Sequence, residues 1–555
     1  MEMDQLSYGS LCGMAVATAL LWLILRQALG VVGGKEDTGG AEANKLPPGP
    51  WTLPVIGSLH HLVGTKLPPH RALLQLSRRH GPLMLLRLGE VPNVIVSSPE
   101  AAMEVLKTND LAFATRPCLE AVCTVFRESC PCPRGASWLR PVWIRGVAEG
   151  GRCSNTCGPT MDIVSCGGKG LLAPYGEHWR QMRKVCVTEV LSARQVRRIE
   201  SIQRGEAARL VESVSAAATA CAVVDVGKGL AELAGNIIAG AVFGGRFPQQ
   251  EAHLREMDAL SALVGGFGLV DLFPSSRLAR WLSSSTRDVR RSHARVQRIL
   301  DDIIQDRKEK KPTAAGASPA ARDSEDLLDV LLRLQREDTL TFPLTSESIG
   351  CVISDIIGAA TETTSSTLEW AMAELIRNPE AMAKAQHEVR QRPHGDGVVT
   401  DLGELHYLRM VIKETLRLHP AGMFHRASQE DCRVMGYHHI PKGTSVVINS
   451  FAVGTDPAHW GEDAAEFRPE RFHGNEMVEY MQMEFVPFGA GRRQCPGALF
   501  ATTIMELVLA NLLYHFDWAV PGGETLDMGE VYGFIVHTRS SLRLQASSYH
   551  PDLQE

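Results

Sequence analysis

One cysteine near the carboxyl end of the chain lies in a local sequence that narrowly limits what can form around it. Cys495 is part of FGAGRRQCPG, residues 488–497, and the long apolar segment ALFATTIMELVLANLLYHF follows directly. The apolar segment predicts a buried helix, with Pro496 in its first turn. The free N–H groups and partial positive charge of a helix start stabilise a thiolate. The pattern therefore predicts a deprotonated, reactive sulfur rather than an inert buried thiol.

The neighbours of Cys495 also suit a large, flat, anionic partner. Gly489, Gly491 and Gly497 leave room for close approach to the sulfur. Arg493 adds a cation two residues from the cysteine, which suits a carboxylate. A thiolate, a glycine-lined surface and this arginine together indicate an axial ligand to haem iron, with the haem propionates as the carboxylates.

The rest of the chain favours a mainly α fold with small β-sheets. Segments with strand character are few: two strands within 83–98 around a turn at Glu90–Asn93, and further strands near 432–450 and 534–546. A net charge of −6 argues against nucleic acid as a partner, and 13 cysteines in 555 residues do not make a disulfide scaffold. Amphipathic periodicity predicts helices over 175–215, 250–265, 285–310, 325–337, 346–377, 379–392 and 402–418.

The amino-terminal region has the features of a membrane anchor. Residues 8–25 form an uncharged apolar run that, as a helix, would rise roughly 27 Å. Basic residues follow the run, so the remainder of the chain is expected on the cytosolic side. A cleaved signal peptide is the alternative, but the run is long and the Ala41–Ala43 cleavage-like site is distant. We therefore predict an anchor over 1–26, a Gly/Pro-rich linker and hinge over 27–57, and a catalytic domain over 58–548.

Residues 118–157 do not match the surrounding pattern. They show neither helical nor strand periodicity. One interpretation is a zinc site, but the cysteine spacings fit no ordinary zinc knuckle. The other is an irregular surface insertion or a gene-model error such as translated intron. The segment contains six of the 13 cysteines: Cys118, Cys123, Cys130, Cys132, Cys153 and Cys157.

The cysteine segment resembles the haem-binding signature of the cytochrome P450 family, F-x-x-G-x-R-x-C-x-G. Every fixed position is filled here, and the resemblance extends over most of 45–545 apart from 118–157. It implies the cytochrome P450 fold, haem b as cofactor and O2 as co-substrate. The matching residues are Phe488, Gly491, Arg493, Cys495 and Gly497.

The segment GAATETTSS, residues 358–366, resembles the family's oxygen-activating helix. The resemblance implies that Thr363 holds dioxygen by a hydrogen bond and that Glu362 helps to relay protons. Ala360 stands where the family usually has glycine, and its methyl group is expected to narrow the groove beside the oxygen. The acid–threonine pair itself is intact, so activity is retained in this interpretation.

Two further motifs imply supporting residues. KETLRLHP and PERF resemble the family's E-x-x-R helix and the segment that pairs with it, which implies a buried network of Glu414, Arg417 and Arg471. Trp179 and Arg183, four residues apart, resemble a propionate-binding pair, and Arg426 resembles another propionate-binding arginine. The loop 419–426 is shorter than usual in the family, which leaves the substrate contacts there open.

No nicotinamide or flavin-binding motif is found, so electrons from NADPH must come through a partner. A basic cluster within 180–198 is interpreted either as a solvated face or as the docking site of a flavoprotein reductase. The apolar segment 265–282 is interpreted either as a buried connection or as a lip that enters the membrane, through Phe267, Leu269, Phe273 and Trp281.

The resulting prediction is a plant microsomal monooxygenase of the endoplasmic reticulum membrane with a lipophilic, terpenoid-like substrate. Retention of Glu362 and Thr363 argues against a reductase-independent isomerase or dehydratase, which remains the first alternative. An inactive haem-binding protein is the second. The pocket residues of such enzymes follow no readable code, so the sequence does not name the substrate.

Overall fold

The computed structural model describes most of the chain between Lys45 and Tyr549. The predicted anchor, the zinc candidate and Phe267 lie outside the described residues. The described ranges are 45–117, 170–171, 173–264, 268–283, 285–310, 325–391, 397–436, 438–474, 484–523 and 525–549.

Helices dominate the described residues. Two of them are continued by a π-helical turn, at Glu104–Thr108 and at Cys186–Val190, and 3-10 turns occur at Pro469–Phe472, Gly491–Arg493 and Pro521–Gly523. In chain order the α-helices are α1 His60–Val63, α2 Pro69–His80, α3 Pro99–Met103, α4 Glu177–Val185, α5 Ala193–Arg198, α6 Glu200–Thr219, α7 Val226–Phe243, α8 Gln250–Val264, α9 Leu269–Leu272, α10 Arg277–Leu282, α11 Ser285–Lys310, α12 Leu327–Glu337, α13 Ser346–Arg377, α14 Pro379–Arg390, α15 His406–Leu418, α16 Ser450–Gly454, α17 Pro457–Trp460 and α18 Ala498–His515.

Eleven strands form four small sheets in the described part of the chain. The largest sheet has the order β1–β2–β7–β4, with β2 and β7 parallel and the other pairs antiparallel. The others are β3–β11–β8, β5–β6 and β9–β10, all antiparallel. The strands are β1 Leu83–Leu88, β2 Val91–Val96, β3 Val223–Asp225, β4 Phe424–Ala427, β5 Cys432–Val434, β6 His438–Ile440, β7 Ser445–Ile448, β8 Phe516–Ala519, β9 Glu530–Tyr532, β10 Val536–Thr538 and β11 Arg543–Ser548.

The long helix α13 runs through the centre of the helical core. Thr345 caps its start, because its side chain accepts a hydrogen bond from the backbone N–H of Ser348. The helix packs against α7, α11, α15 and α18, and its first three turns are buried almost without interruption. A helix that is apolar on most of its surface can only be stable in such a position. Residues 358–363 of this helix are less buried, and they are the ones that matter for the site.

Most of the predicted helices are confirmed, with three differences. The predicted helix 175–215 is divided into α4, a π-helical turn, α5 and α6. Several helices, among them α2 and α7, were not predicted. Eight of the 18 residues of α7 are alanine or glycine, and its surface is mostly apolar, so its sequence has no clear amphipathic period. Helix α18 begins at Ala498, so Pro496 precedes the helix instead of occupying its first turn.

Two described helices are long and apolar enough to cross a membrane, α7 and α18. Each is 61% buried within the fold, which is what a core helix requires. The composition of both is therefore explained by packing inside the protein. The predicted span at residues 8–25 lies outside the described residues.

Candidate active site

The loop that carries Cys495 is held by short backbone hydrogen bonds. The N–H of Cys495 donates to the carbonyl of Phe488 at 2.9 Å, and the N–H of Gln494 donates to that of Gly491 at 3.1 Å. Gly491 has a φ of +68°, and a Cβ there would lie 1.9 Å from the carbonyl oxygen of Leu106. This glycine is therefore required by the packing of the loop against the protein, not by approach to the sulfur as the sequence suggested.

Two properties of Cys495 indicate an enclosed space beside its thiol. Its residue has accessible surface, yet burial raises the pKa of the thiol. Both observations hold together if the sulfur borders an internal cavity. The backbone N–H of Gly497 and the cation of Arg183 oppose the effect of burial and lower this pKa. A bound metal cation would complete the deprotonation.

Buried arginines near the cysteine loop form the second component of the site. Burial lowers the pKa of Arg116 to about 10, that of Arg426 to about 9 and that of Arg493 to about 8. Arg116 lowers the pKa of the other two further by repulsion, and Arg183 acts on Arg493 in the same way. The Nε of Arg116 has no hydrogen-bond partner among the described residues. Buried cations that repel one another indicate a place prepared for an anion.

Arg493 is fixed in position by the backbone around it. Its guanidinium donates to the carbonyl oxygens of Ala114 at 2.8 Å and Ala173 at 2.6 Å, and it lies 4.2 Å from the ring centroid of Trp179. The indole N–H of Trp179 donates to the carbonyl of Leu171 at 2.9 Å. The sequence led us to expect Trp179 and Arg183 to act as a pair toward one carboxylate. Trp179 contacts Arg493, and Arg183 lies close enough to Cys495 for the two groups to interact electrostatically; the joint binding of one propionate by Trp179 and Arg183 stays a prediction.

Two buried residues of this site, one cationic and one neutral, were not predicted from the sequence. Arg116 belongs to a short TRP segment, and His425 precedes Arg426 in β4. Burial, with Arg116 and Arg426 nearby, lowers the pKa of His425 to about 4, so this imidazole is neutral at physiological pH. Neither position has a local pattern, because the group is assembled from four separate stretches of chain. The one sequence feature that could have pointed to a buried role for Arg116 is its position just after the apolar run 111–114.

Behind the cysteine loop lies a buried ion network. Arg417 donates to both carboxylate oxygens of Glu414, at 2.7 and 2.8 Å, and Arg471 donates to Glu414 at 2.9 Å. The side chains of Glu414 and Arg417 are fully buried, and that of Arg471 is 4% exposed. Phe472, next to Arg471, packs 5.2 Å from the ring of Phe485, which lies three residues before the cysteine segment. Trp460 makes a second connection, because its ring lies 5.0 Å from the Arg417 guanidinium and 6.3 Å from the ring of Phe485.

Helix α13 contributes a hydroxyl and an acid. Thr363 donates to the carbonyl of Ala359 at 2.6 Å, one turn earlier, and Ala359 is exposed in the middle of this otherwise buried helix. An exposed alanine inside a core helix indicates an internal cavity on that face. Glu362 accepts a hydrogen bond from the hydroxyl of Ser261 in α8 at 2.7 Å. Burial raises the pKa of Glu362 to about 7, so this carboxyl is partly protonated near neutral pH.

Comparison with known proteins identifies the family. The family described as Cytochrome P450 matches residues 47–127 and 158–542. This chain belongs to the cytochrome P450 family. Premnaspirodiene oxygenase of Hyoscyamus muticus is 40% identical over 526 residues, which cover 93% of this chain and 95% of that protein. Ent-isokaurene C2/C3-hydroxylase of Oryza sativa subsp. japonica is 43% identical, with 88% of this chain and 90% of that protein covered.

A third relative is named a synthase instead of an oxygenase or hydroxylase. Desmethyl-deoxy-podophyllotoxin synthase of Sinopodophyllum hexandrum is 41% identical over 517 residues, which cover 91% of this chain and 92% of that protein. The helices and small sheets described above are therefore those of the cytochrome P450 fold. This cytochrome P450 is a monooxygenase that uses haem b, O2 and electrons that originate from NADPH and reach it through a redox partner. Its substrates are lipophilic metabolites.

The residues of this site fit haem. A thiol on an enclosed cavity matches the need of the iron for an anionic sulfur ligand, and the arginines match the two propionates. The unpartnered Nε of Arg116 is the most direct sign, because a buried donor of this kind requires an acceptor. When bound, haem supplies the iron centre at which dioxygen is activated.

Proposed function

We propose that this cytochrome P450 is a membrane-anchored haem-thiolate monooxygenase with Cys495 as the axial ligand. The observation that carries the proposal is the pairing of an enclosed thiol with a group of buried, mutually repelling arginines. A neutral ligand would leave those cations without compensation. A dianionic cofactor that also requires a thiolate accounts for both parts of the site.

In this proposal the arginines hold the propionates, and the loop shapes the sulfur side. Arg116, Arg426 and Arg493 bind carboxylates, while Trp179 holds Arg493 in place. Three other residues of the loop shape it around the cysteine. Phe488 accepts the N–H of the cysteine, Gly491 permits the loop's approach to Leu106, and Gly497 donates its N–H to the sulfur.

In this proposal Thr363 supplies a hydrogen bond and Glu362 supplies protons, both from helix α13. The hydroxyl of Thr363 is oriented by its bond to Ala359 and remains able to accept a second hydrogen bond. Glu362, with a pKa of about 7, both releases and recovers a proton near neutral pH. Monooxygenation consumes two protons and two electrons for each O2, so a carboxyl with this pKa suits the reaction.

The network of Glu414, Arg417 and Arg471 has a structural role in this proposal. Arg417 also donates to the carbonyl oxygens of Gly454 and Ala464, at 2.6 Å each, which ties α15 to the segment before the cysteine loop. A carboxylate shared by two buried guanidinium groups is a rigid support. It holds the loop rather than the substrate.

An exposed apolar surface supports attachment to a membrane in addition to the anchor. Leu278, Trp281 and Leu282 of α10 are 62, 77 and 57% exposed, and Trp51 and Val63 of the amino-terminal segment are 63 and 81% exposed. Aromatic and aliphatic side chains grouped in this way suit the lipid interface.

Both apolar segments adjoin the β1–β2 turn, so they lie at the same end of the molecule. The N–H of Glu90 donates to the carbonyl of Leu272 at 2.8 Å, and Gly57 pairs with Leu88. Phe273 packs against this turn: a Cβ at Gly89 would lie 3.1 Å from its ring. Phe273 is therefore only partly accessible, unlike Trp281, and it is not one of the proposed lipid contacts.

The electron donor in this proposal is an NADPH-dependent flavoprotein reductase. Arg180, Lys184 and Arg197 are exposed on α4 and α5. Helix α4 also carries Arg183, which acts on Cys495, so the exposed cations lie on the cysteine side of the molecule. Arg183 itself is partly buried and belongs to the site instead of the docking surface. An acidic partner would bind here and lose affinity as salt is raised.

The substrate class is taken from the relatives. Two of the proteins described above carry the names of a spirodiene oxygenase and an isokaurene hydroxylase. We propose a terpenoid-like plant metabolite as the substrate.

We also propose the division into an anchor at 1–26, a hinge at 27–57 and a catalytic domain at 58–548. Within that domain 118–157 is an additional segment, most of which, 128–157, lies outside the match to the family.

The experiment is turnover in microsomes that contain the protein and a plant NADPH-dependent flavoprotein reductase. Terpene hydrocarbons with fifteen and twenty carbons are supplied under isotopically labelled dioxygen. The expected product carries one labelled oxygen atom and forms only with NADPH, O2 and reductase. Conversion of a fatty-acid hydroperoxide without NADPH, in the absence of any NADPH-dependent product, would instead identify the isomerase or dehydratase alternative.

A further inference from the structure

Helix α8 crosses α13 next to the acid of the site. Met257 lies at the crossing: its sulfur is 3.8 Å from the hydroxyl of Ser354, and a Cβ at Gly358 would lie 2.6 Å from its terminal methyl carbon. One turn further along both helices, Ser261 meets Glu362. Gly358 thus allows the close approach that brings this serine within hydrogen-bond distance of the carboxylate.

Glu362 is directed toward α8 and away from Thr363. Consecutive residues of a helix point about 100° apart, so the two side chains leave α13 in different directions. The hydroxyl of Thr363 is bonded to its own helix at Ala359, whereas the carboxylate of Glu362 is bonded to Ser261. The orientation of the acid is therefore determined by its neighbour on α8 rather than by the adjacent threonine.

A second carboxyl of α8 acts on the same acid. The charge of Asp258 raises the pKa of Glu362, so the two groups lie within electrostatic range. Asp258 has accessible surface, yet burial raises its own pKa as well. Ser261 and Asp258 are three residues apart on α8 and so share one face.

Among the described residues, the neighbouring helices α7 and α11 place no charged group beside the Glu362 carboxyl. From α7 the neighbour is Gly235, where a Cβ would contact Leu254 and Thr361. From α11 the charged neighbour of α8 is Arg295, which is bonded to Glu256 at 2.9 Å, more than a turn away from Ser261. The environment of the Glu362 carboxyl is therefore set mainly by burial and by two side chains of α8.

We propose that Ser261 and Asp258 are positioning residues for Glu362, so that α8 sets both the direction and the protonation of the acid beside Thr363. The inference rests on the proposed role of Glu362 in proton supply. The serine hydroxyl stabilises the ionised carboxylate, and the aspartate stabilises the protonated form. When Glu362 releases a proton, the resulting carboxylate accepts a hydrogen bond from Ser261, and a solvent proton restores the acid. No redox change accompanies this exchange.

The two residues act in opposite directions, which makes a sharp test. The titration of the Glu362 carboxyl is followed by infrared difference spectroscopy of the haem-loaded protein, and its band is assigned by loss in Glu362→Gln. Ser261→Ala is expected to raise the midpoint by about one pH unit, and Asp258→Asn to lower it by about half a unit. Ser261→Thr keeps the hydroxyl and should restore the original midpoint. Glu251→Gln removes an exposed charge at the start of the same helix and serves as the matched control.

A second readout connects the titration to the reaction. The share of NADPH electrons recovered in product, as opposed to hydrogen peroxide, is expected to fall several-fold in Ser261→Ala and to recover in Ser261→Thr. An intact carbon-monoxide difference spectrum in each variant verifies that the haem site has folded. Unchanged midpoints in both Ser261→Ala and Asp258→Asn, or shifts in the same direction, would overturn the inference.

The role of Glu362 and the control of Glu362 by α8 can be tested separately. If Glu362→Gln leaves the electron balance unaltered, the role of Glu362 in the proposed function is wrong, and the control by α8 falls with it. If Glu362→Gln diverts electrons to peroxide but Ser261→Ala and Asp258→Asn leave the midpoint unaltered, only the role of α8 is wrong.

Discussion

Burial of the Arg116, Arg426 and Arg493 guanidinium groups raises the free energy of the folded protein when no anion is bound. Burial lowers the pKa of each well below the usual 12.5, and at Arg426 and Arg493 the neighbouring cations lower it further. Asp355 offsets part of this at Arg116, although one of its oxygens is already bonded to the backbone of Leu171. Such an arrangement is unfavourable for the empty protein and favourable for the loaded one, which is the expected signature of a binding site.

Arg426→Met should therefore have opposite effects on stability and on haem retention. Removal of a buried charge is expected to raise the free energy of unfolding of the haem-free protein by about 2 kcal/mol. The same change should speed haem loss about tenfold or more. Denaturant unfolding of the apoprotein and the rate of haem transfer to a scavenger protein measure the two quantities.

The matched control is Arg492→Met. Arg492 neighbours Arg493 in sequence, but it is partly exposed and paired with Asp110 at 3.0 Å. It should alter neither quantity appreciably. A stabilised apoprotein with unchanged haem retention in Arg426→Met would contradict the assignment of this group to the propionates.

Individual side chains were predictable from the sequence only where a motif carries them. Cys495, Glu362 and Thr363 lie in continuous segments, so their neighbours in sequence are also their neighbours in space. Arg116 and Ser261 have no such context. Their importance arises from the approach of distant segments, and the contact of Ser261 with Glu362 spans 101 positions.

Among the elements, the pairing of α15 with the 3-10 turn 469–472 supports the cysteine loop most directly. Glu414 receives four hydrogen bonds: two from Arg417, one from Arg471 and one from the backbone N–H of Arg468. Loss of the carboxylate would leave two guanidinium groups with reduced compensation in the interior.

Glu414→Gln is expected to destabilise the protein by about 3–5 kcal/mol, because it leaves buried charge uncompensated. Thermal unfolding of the haem-loaded form, together with haem content, measures the effect. Lys384→Met is the matched control, since it breaks the exposed ion pair with Glu470 in the same 3-10 turn. Its unfolding midpoint should remain nearly that of the wild type. Equal stability of Glu414→Gln and the wild type would show that the network does not support the loop.

The success of the helix predictions follows the strength of their periodicity. Helices α11, α12 and α15 have a clear apolar side and were predicted within a few residues. The region 175–219 also has helical periodicity, but the chain bends through a π-helical turn at Cys186–Val190 that leaves no mark in the pattern. Strands β3 and β9 are only three residues long, and so short a segment has no readable alternation.

The whole molecule should be sensitive to mild acid through its buried histidines. Burial lowers the pKa of His253, His293 and His425 to about 4. An unfolded chain takes up these protons near pH 6.5. Between pH 6.5 and about 4 the unfolded state thus binds more protons than the folded state, and stability falls as the pH falls.

His253→Leu should move acid unfolding to lower pH. His253 is fully buried, and neither ring nitrogen has a partner among the described residues. The expected gain is up to about 3 kcal/mol at pH 4, estimated from the pKa difference. Circular dichroism across an acid titration measures it, with exposed His473→Leu as the control. An acid midpoint that is the same for His253→Leu and the wild type would rule out this source of acid sensitivity.

For the whole chain, the sequence also predicts two features that lie outside the described residues, the membrane anchor and the additional segment 118–157. Membrane attachment receives separate support from the exposed side chains of α10 and of residues 51–63. Their clustering at one end depends on contacts of the β1–β2 turn, which no local pattern encodes. The identity of Leu278, Trp281 and Leu282 could be read in the sequence, but not their exposure.

The central claim is that Cys495 is the thiolate ligand of a haem held by this chain. The most direct measurement is the carbon-monoxide difference spectrum of reduced microsomes, recorded for the full chain, for a form without 118–157 and for Cys495→Ser in each. We predict a strongly red-shifted Soret band that is present with Cys495 and absent with serine at that position. The same band with serine at 495, or no such band in either form with the cysteine, would contradict the account.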